Sequence, residues 1–345
     1  MKAVILQKPG EFGPGVAADP RLEAGDLLLH VKACSLCGTD IRVLEGKKTR
    51  GVRYPSIIGH EFAGTIEEVG KDVKEFRCGE RVSVAPVMAC HACRYCMEAR
   101  ENACRNRVAI GYEYDGGFAE FVRIPARAVA YGHVVRIPDG TGFDEAALAE
   151  PLACCINGSR KVDVGLGDAV LIVGAGPIGL MHLQLARAAG AGMVLVSEPN
   201  PRRREEAARF GADRVVDPAA ENLREIVMGA TGGLGADALI MAIGVPGIVN
   251  DLLKLVRKGG RLNLFAGFPD AGTTTIEANL IHYNEIVVNG TSAATRLDYL
   301  TAVSMITSHR VNVKDLVTHR FGLDGFAEAY NLHRSCVGLK LLIEP

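Results

Sequence analysis

The stretch DAVLIVGAGPIG, Asp168 to Gly179, sets five apolar residues before three spaced glycines. Ala169–Val173 reads as a short buried strand, and Pro177–Ala189 carries a helical pattern. Between them lies Gly174-Ala175-Gly176-Pro177-Ile178-Gly179. In a dinucleotide-binding turn the first glycine makes the tight bend and the second admits a pyrophosphate. The third lets helix and strand pack closely. The helix N-terminus then faces phosphate charge. The hexapeptide alone is a weak signal, and its context strengthens it. An acidic residue is expected about 20 residues further on, at the end of the next strand. MVLVSEPN supplies that strand, and Glu198 stands 19 residues past Gly179. A carboxylate there accepts both ribose hydroxyls and repels a 2′-phosphate, which favours NAD over NADP. Arg202, Arg203 and Arg204 are a counter-signal, although beside Glu205 and Glu206 they also read as the solvated start of a helix.

Outward from this turn the chain alternates strand and helix. PRRREEAARFGA reads as a helix closed by Gly211, and DALIMAIG, VPGIVNDLLKLVRKGG and RLNLFAGF continue the rhythm. Alternation of this kind gives a doubly wound parallel sheet with right-handed crossovers. The first half differs. Met1–Leu6, Asp26–Ala33, Ser56–Val69 and Arg81–Val84 read as strands broken by glycine turns. The tail from Ala293 is helical, and VGLKLLIEP is a final strand. Two domains follow: residues 1–155 with 291–345, and residues 156–290. At 345 residues, 48% apolar and 23% charged, the chain is that of a soluble globular protein. A net charge of −1 argues against nucleic-acid and membrane-surface partners. The apolar start of MKAVILQKPG is too short for a signal peptide, and no apolar run spans a bilayer. A cytoplasmic protein is expected, in which ten cysteines bind metal more readily than they form disulfides.

Four of those cysteines lie in CHACRYCMEARENAC, at positions 90, 93, 96 and 104. Four thiolates are the closed tetrahedral set of a structural zinc, with no position left for a substrate. The rival is an iron–sulfur cluster. Bacterial ferredoxin runs place three residues before the fourth cysteine and a proline after it. Here seven residues intervene and Arg105 follows Cys104. A second set is scattered: Cys37 in SLCGTD, His60 and Glu61 in IIGHEFAG, Glu150 in LAEPLAC. A thiolate, an imidazole and a carboxylate make a three-ligand site that keeps a position open, as catalytic zinc requires. Taken singly, each residue reads more readily as a small core cysteine, a satisfied core histidine or an exposed helix charge.

Taken together they resemble a family. Gly59-His60-Glu61-x2-Gly64-x5-Gly70-x2-Val73 resembles the motif of zinc-containing medium-chain alcohol dehydrogenases. Cys37-Gly38-Thr39-Asp40, Gly79-Glu80-Arg81-Val82, the four-cysteine lobe, Glu150-Pro151-Leu152 and Gly174–Gly179 then fall in that family's order, across essentially the whole chain. The resemblance is greatest to the polyol (sorbitol) and threonine dehydrogenase branch. It implies an α/β protein made of a GroES-like, mostly β catalytic domain and a Rossmann domain. It implies two zinc ions per chain. One is held by Cys37, His60 and Glu61, with Glu150 bound directly or through a water. The other is held by Cys90, Cys93, Cys96 and Cys104. It implies that Glu198 and Arg203 bind the adenosine ribose, and that the chain forms a homodimer or homotetramer.

The expected reaction is reversible oxidation of a secondary alcohol of a polyol, or of its phosphate, to a ketone with hydride transfer to NAD. Thr39 is placed to relay the proton through its hydroxyl, and Asp40 to orient a ligand. One departure stands out. Many relatives carry a histidine two residues after the CGTD motif, and this chain carries Arg42, which stays charged and cannot shuttle a proton. With Lys47, Lys48, Arg50 and Arg53 nearby, a phosphorylated or carboxylated polyol becomes conceivable, against the plainer reading of a solvated basic loop. A threonine-type or simple secondary-alcohol dehydrogenase is the alternative within the class. A cofactor-binding protein without catalysis, or a redox protein built on the cysteine cluster, is the alternative outside it.

Overall fold

The computed structural model describes residues 1–268 and 272–345. Contacts divide the chain into two units, Met1–Ala153 joined by Ala293–Pro345, and Cys154–Ser292. The division falls inside the helix Ala149–Val162.

In the first unit the strand Leu27–Ser35 buries Leu27, Leu29, Val31 and Ala33 on one face, the period of two that a half-buried strand needs. It pairs antiparallel with Glu61–Val69, with Phe121–Ile124 and with the C-terminal strand Lys340–Ile343. Arg81–Val84 and Val134–Arg136 extend the sheet on one side, and Val317–Phe321 on the other. Its core gathers Leu29, Phe62, Ile66, Val82, Phe118 and Phe326, so the tail residues complete the apolar interior of the N-terminal strands. The register sets Ser35 opposite both Glu61 and Leu342. The C-terminal end of one strand, the first residue of a second and the strand Lys340–Ile343 therefore meet at one place.

The expected strand Ser56–Val69 is in fact two, Ser56–Ile57 and Glu61–Val69. Gly59 breaks it, with φ +101°, a conformation that side chains rarely adopt. A Cβ on Gly59 would also lie 2.9 Å from Cys34 Sγ and from the Phe118 ring. The break turns His60 and Glu61 to the sheet end.

The second unit is a six-stranded parallel sheet. Its order is Arg214–Val216, Met193–Ser197, Ala169–Val173, Ala236–Met241, Val256–Leu264 and Val287–Gly290. This is the 3-2-1-4-5-6 order of a Rossmann fold. The helix Pro177–Ala189 buries Leu180, Met181, Leu183 and Leu185 and ends at Gly190 in the left-handed conformation. The helix expected over VPGIVNDLLKLVRKGG is only Val249–Leu253, and the following strand starts at Val256. No helix of the described residues is long and apolar enough to cross a membrane.

His182, in the helix Pro177–Ala189, is fully buried, edge-on to Phe265 at 4.6 Å. Burial lowers its pKa from 6.5 to about 3, so it is neutral in the folded chain. Near pH 7 folded and unfolded chains are both largely neutral there. As pH falls below about 6.5 the unfolded chain takes up a proton that the folded chain refuses, and stability drops until about pH 3. At about 1.36 kcal/mol per pH unit, His182 alone removes about 2 kcal/mol by pH 5. The melting temperature of His182→Leu should therefore fall less between pH 7 and 5 than that of the parent. Equal losses would show that the acid sensitivity lies elsewhere.

Candidate functional site

Cys37 ends the loop after Leu27–Ser35 and caps the helix Gly38–Leu44. Its Sγ accepts the Thr39 N–H at 3.5 Å, and its own N–H donates to Asp40 Oδ2 at 2.9 Å. The second bond fixes Asp40, whose other oxygen lies 3.1 Å from His60 Nδ1. A buried carboxylate on Nδ1 holds that nitrogen as the N–H, which leaves Nε2 as the free donor atom. The hydroxyl of Tyr112 is also 3.3 Å from Nδ1. Glu61 opens its strand wholly buried, with Oε2 2.5 Å from the ammonium of Lys340. Burial pushes Lys340 down, but Glu61 first and then Cys37 outweigh it, so the lysine stays charged.

Ligand atoms of Cys37, His60 and Glu61 lie within 4.8 Å of one another. Glu61 Oε1 is buried with no hydrogen-bond partner, and an ionised oxygen left so is costly. A metal ion would satisfy it, and the mix of thiolate, imidazole and carboxylate suits zinc. Glu150 stands outside the trio, half-buried on the first turn of Ala149–Val162. It lines a small pocket with Pro86, Thr295, Arg296 and Tyr299. Its charge still raises the pKa values of Tyr112, Tyr299 and Lys340, after larger contributions from other groups. Thr39, half-buried, is the next residue but one along the capped helix.

The four cysteines of the lobe also converge. Sγ separations are 3.6 Å for Cys93–Cys96, 3.9 Å for Cys90–Cys96 and 3.9 Å for Cys93–Cys104. A tetrahedron with zinc–sulfur bonds of about 2.3 Å has edges of about 3.8 Å. Backbone N–H groups, that of Arg105 foremost, lower Cys93 to about 6. The lobe is tied down by Arg127 Nε on Ala89 O, by the Arg296 N–H on Glu101, and by His91 stacked 4.0 Å from Tyr131.

In the second unit Gly174 has φ +100°, and a Cβ on Gly179 would fall 1.9 Å from Gly174 O. Gly176 caps the helix that Pro177, Ile178 and Gly179 begin. Glu198 is buried beside this turn and takes the N–H groups of Ala175 at 2.7 Å and Asn200 at 2.9 Å. Of the three arginines, Arg204 is bound to Asp217 at 3.0 Å, and Arg202 is exposed. Arg203 brings Nη1 to 3.9 Å from where a Gly176 Cβ would lie. Lys340 and Tyr112 are contacts that the sequence reading does not contain. A single charge inside the apolar run GLKLLI is the signal that flags Lys340 as a buried partner. Nothing local distinguishes Tyr112.

Residues 23–139 match the family model "Alcohol dehydrogenase GroES-like domain", and residues 177–308 match "Zinc-binding dehydrogenase". An L-threonine 3-dehydrogenase of Thermococcus kodakarensis is 34% identical, covering 100% of this chain and 98% of its own. Among solved structures, a protein of Sinorhizobium meliloti 1021 described as a zinc-binding dehydrogenase, bound to NADP, superposes with a TM-score of 0.93. It is 32% identical and covers 100% of this chain and 99% of its own. An alcohol dehydrogenase of Escherichia coli CFT073 complexed with NADH superposes with a TM-score of 0.91 at 27% identity, over 100% of this chain and 99% of its own.

Two substitutions separate the two thiolate sites. Elemental analysis of Cys93→Ser should find one zinc fewer per chain and a melting temperature lowered by several degrees. Cys37→Ser should also lose one zinc, but with turnover abolished and the melting temperature much less affected. If Cys93→Ser stopped turnover in a fully folded, fully metallated protein, this division of roles would be wrong.

Proposed function

The chain belongs to the zinc-containing medium-chain dehydrogenase family, and from that premise we propose that it oxidises a secondary alcohol of a polyol reversibly to a ketone, with NAD as hydride acceptor. The observation that carries the reading is the convergence of Cys37, His60 and Glu61 around an unpartnered Glu61 oxygen. A zinc ion held there supplies a Lewis acid for the alcohol oxygen, and NAD supplies the hydride acceptor. Asp40 holds His60 in one tautomer and Lys340 holds the Glu61 carboxylate, so the trio is fixed before substrate arrives. Thr39 Oγ1 would accept the alcohol proton while its own hydroxyl proton passes to a cofactor hydroxyl or to water. Arg42 cannot share that step, because a guanidinium does not deprotonate. Glu150 acts beside the trio, directly or through a water.

NAD is favoured by Glu198, which two backbone N–H groups fix at the glycine turn, where it would repel a 2′-phosphate. Arg203 reaches the same turn and would flank the ribose. Ten cysteines, several grouped as metal ligands, favour the cytoplasm, where thiols stay reduced. The family likeness favours a homodimer or homotetramer. A second reading, oxidation of L-threonine at its 3-hydroxyl, is favoured by the names of the full-length relatives.

NADH formation with sugar alcohols, their phosphates, threonine and simple secondary alcohols decides between these readings. A polyol or polyol derivative should give the largest kcat/KM, and a clear preference for threonine would replace the polyol reading with the second. Thr39→Val should lower kcat by about 100-fold or more with cofactor binding retained. Glu198→Gln should shrink the NAD over NADP preference by about ten-fold, or ~1.4 kcal/mol. An unchanged ratio would remove Glu198 from cofactor selection.

A further inference from the structure

The five basic residues between Arg42 and Arg53 do not behave alike. Lys47 is 2.8 Å from Glu45, and Arg53 is 3.0 Å from Asp115. Lys48 has no carboxylate within salt-bridge distance among the described residues. It is half-buried, with its ammonium 3.6 Å from the centre of the Tyr112 ring and 3.4 Å from Arg50 O. The face of the Tyr112 ring holds the ammonium without cancelling its charge.

The Tyr112 ring centre is in turn 5.4 Å from that of His60. Steps of 3.6 Å and 5.4 Å thus connect Lys48 Nζ to a residue of the Cys37, His60 and Glu61 trio. Burial is the largest influence on Lys48 and lowers its pKa. Glu113 and Asp40 oppose this, and the like charges of Arg107 and Arg42 add to it. Both opposing carboxylates are engaged elsewhere. Asp40 accepts from Cys37 N and faces His60, while Glu113 accepts the Ala109 N–H at 2.8 Å. Lys48 is therefore a half-buried cation one aromatic ring away from the trio, with no dedicated counter-ion among the described residues, and the exposed Arg42 and Arg107 add positive charge within its reach.

We propose that Lys48 is the centre of an anion subsite, and that the substrate is a polyol bearing a carboxylate or phosphate that sits against it. The inference rests on the dehydrogenase reading and names its substrate class. An ammonium donates to either anion, and charge-assisted bonds are stronger where the cation, like Lys48, is already part-desolvated. A neutral polyol would leave the half-buried Lys48 ammonium without a counter-charge.

Calorimetric titration of the zinc-loaded protein with gluconate, sorbitol 6-phosphate and sorbitol tests this, with and without saturating NAD. At least one anion should bind ten-fold or more tighter than sorbitol, and the better of the two identifies the charged group. Lys48→Met should lower that ratio about ten-fold, and Lys48→Arg should keep most of it. The proposal falls if sorbitol binds as tightly as both anions, if nothing binds, or if Lys48→Met leaves the ratio unchanged. It also falls if NAD displaces the anion, since the cations would then serve the cofactor phosphates. Anion binding that depends on Lys48, with no NADH formed from any compound, would uphold the subsite and sink the dehydrogenase reading instead.

Discussion

The wholly buried carboxylate of Glu61 is the constraint around which the first unit is arranged. Removing a carboxylate from water costs several kcal/mol even after relaxation. Lys340 offsets part of this through Oε2 and stays charged to do so. Oε1 has no partner in the protein. A pair retained for stability alone would have both oxygens satisfied or would be replaced by apolar residues. A half-satisfied pair makes sense when the second oxygen faces an ion, which is why Glu61 points to a metal site more strongly than Cys37 or His60 alone.

That pair fixes strand register. Glu61 and Lys340 are the first residues of their strands, and both strands flank Leu27–Ser35. Sliding either strand by one residue would send its charge to the opposite face, into the apolar core of Phe62 and Phe118. Gly59 makes the same demand from the other side, because only its positive φ brings His60 and Glu61 to the sheet end together. The capped turn at Cys37 completes the arrangement. Asp40 bonds at once to the Cys37 backbone and to His60, coupling two proposed ligands through one short side chain.

What the sequence reveals of this follows from how local each constraint is. The glycine turn is legible because its demands are largely local: Gly174 takes φ +100°, and a Cβ on Gly179 would meet the Gly174 carbonyl. The same holds for the parallel sheet, whose strands are continuous apolar runs. The strand Ser56–Val69 is misread as one piece because apolar content carries no record of a positive φ at Gly59. The stretch Val249–Leu264 is misdivided for a related reason. Short apolar runs such as LLKLV do not separate helix from buried strand by periodicity, and pairing with Ala236–Met241 decides in favour of the strand. Lys340 meets Glu61 across 279 positions, and no pattern within either segment predicts that contact. Tyr112, which touches both His60 and Lys48, is equally silent in sequence.

The two proposed zinc sites show the same contrast in one molecule. The lobe's four thiols fall within fifteen residues, so a single loop brings them together and their spacing alone announces them. A set so complete has its coordination closed, and its cost and benefit are confined to the loop it ties down. Cys37, His60 and Glu61 need a strand end, a broken strand and a returning C-terminal strand to meet. Because each comes from an element fixed by its own packing, the geometry is rigid while one position stays open. An incomplete set is energetically tolerable only when the surrounding fold holds it in place, and that dependence is what scatters the residues of an open metal site along the chain.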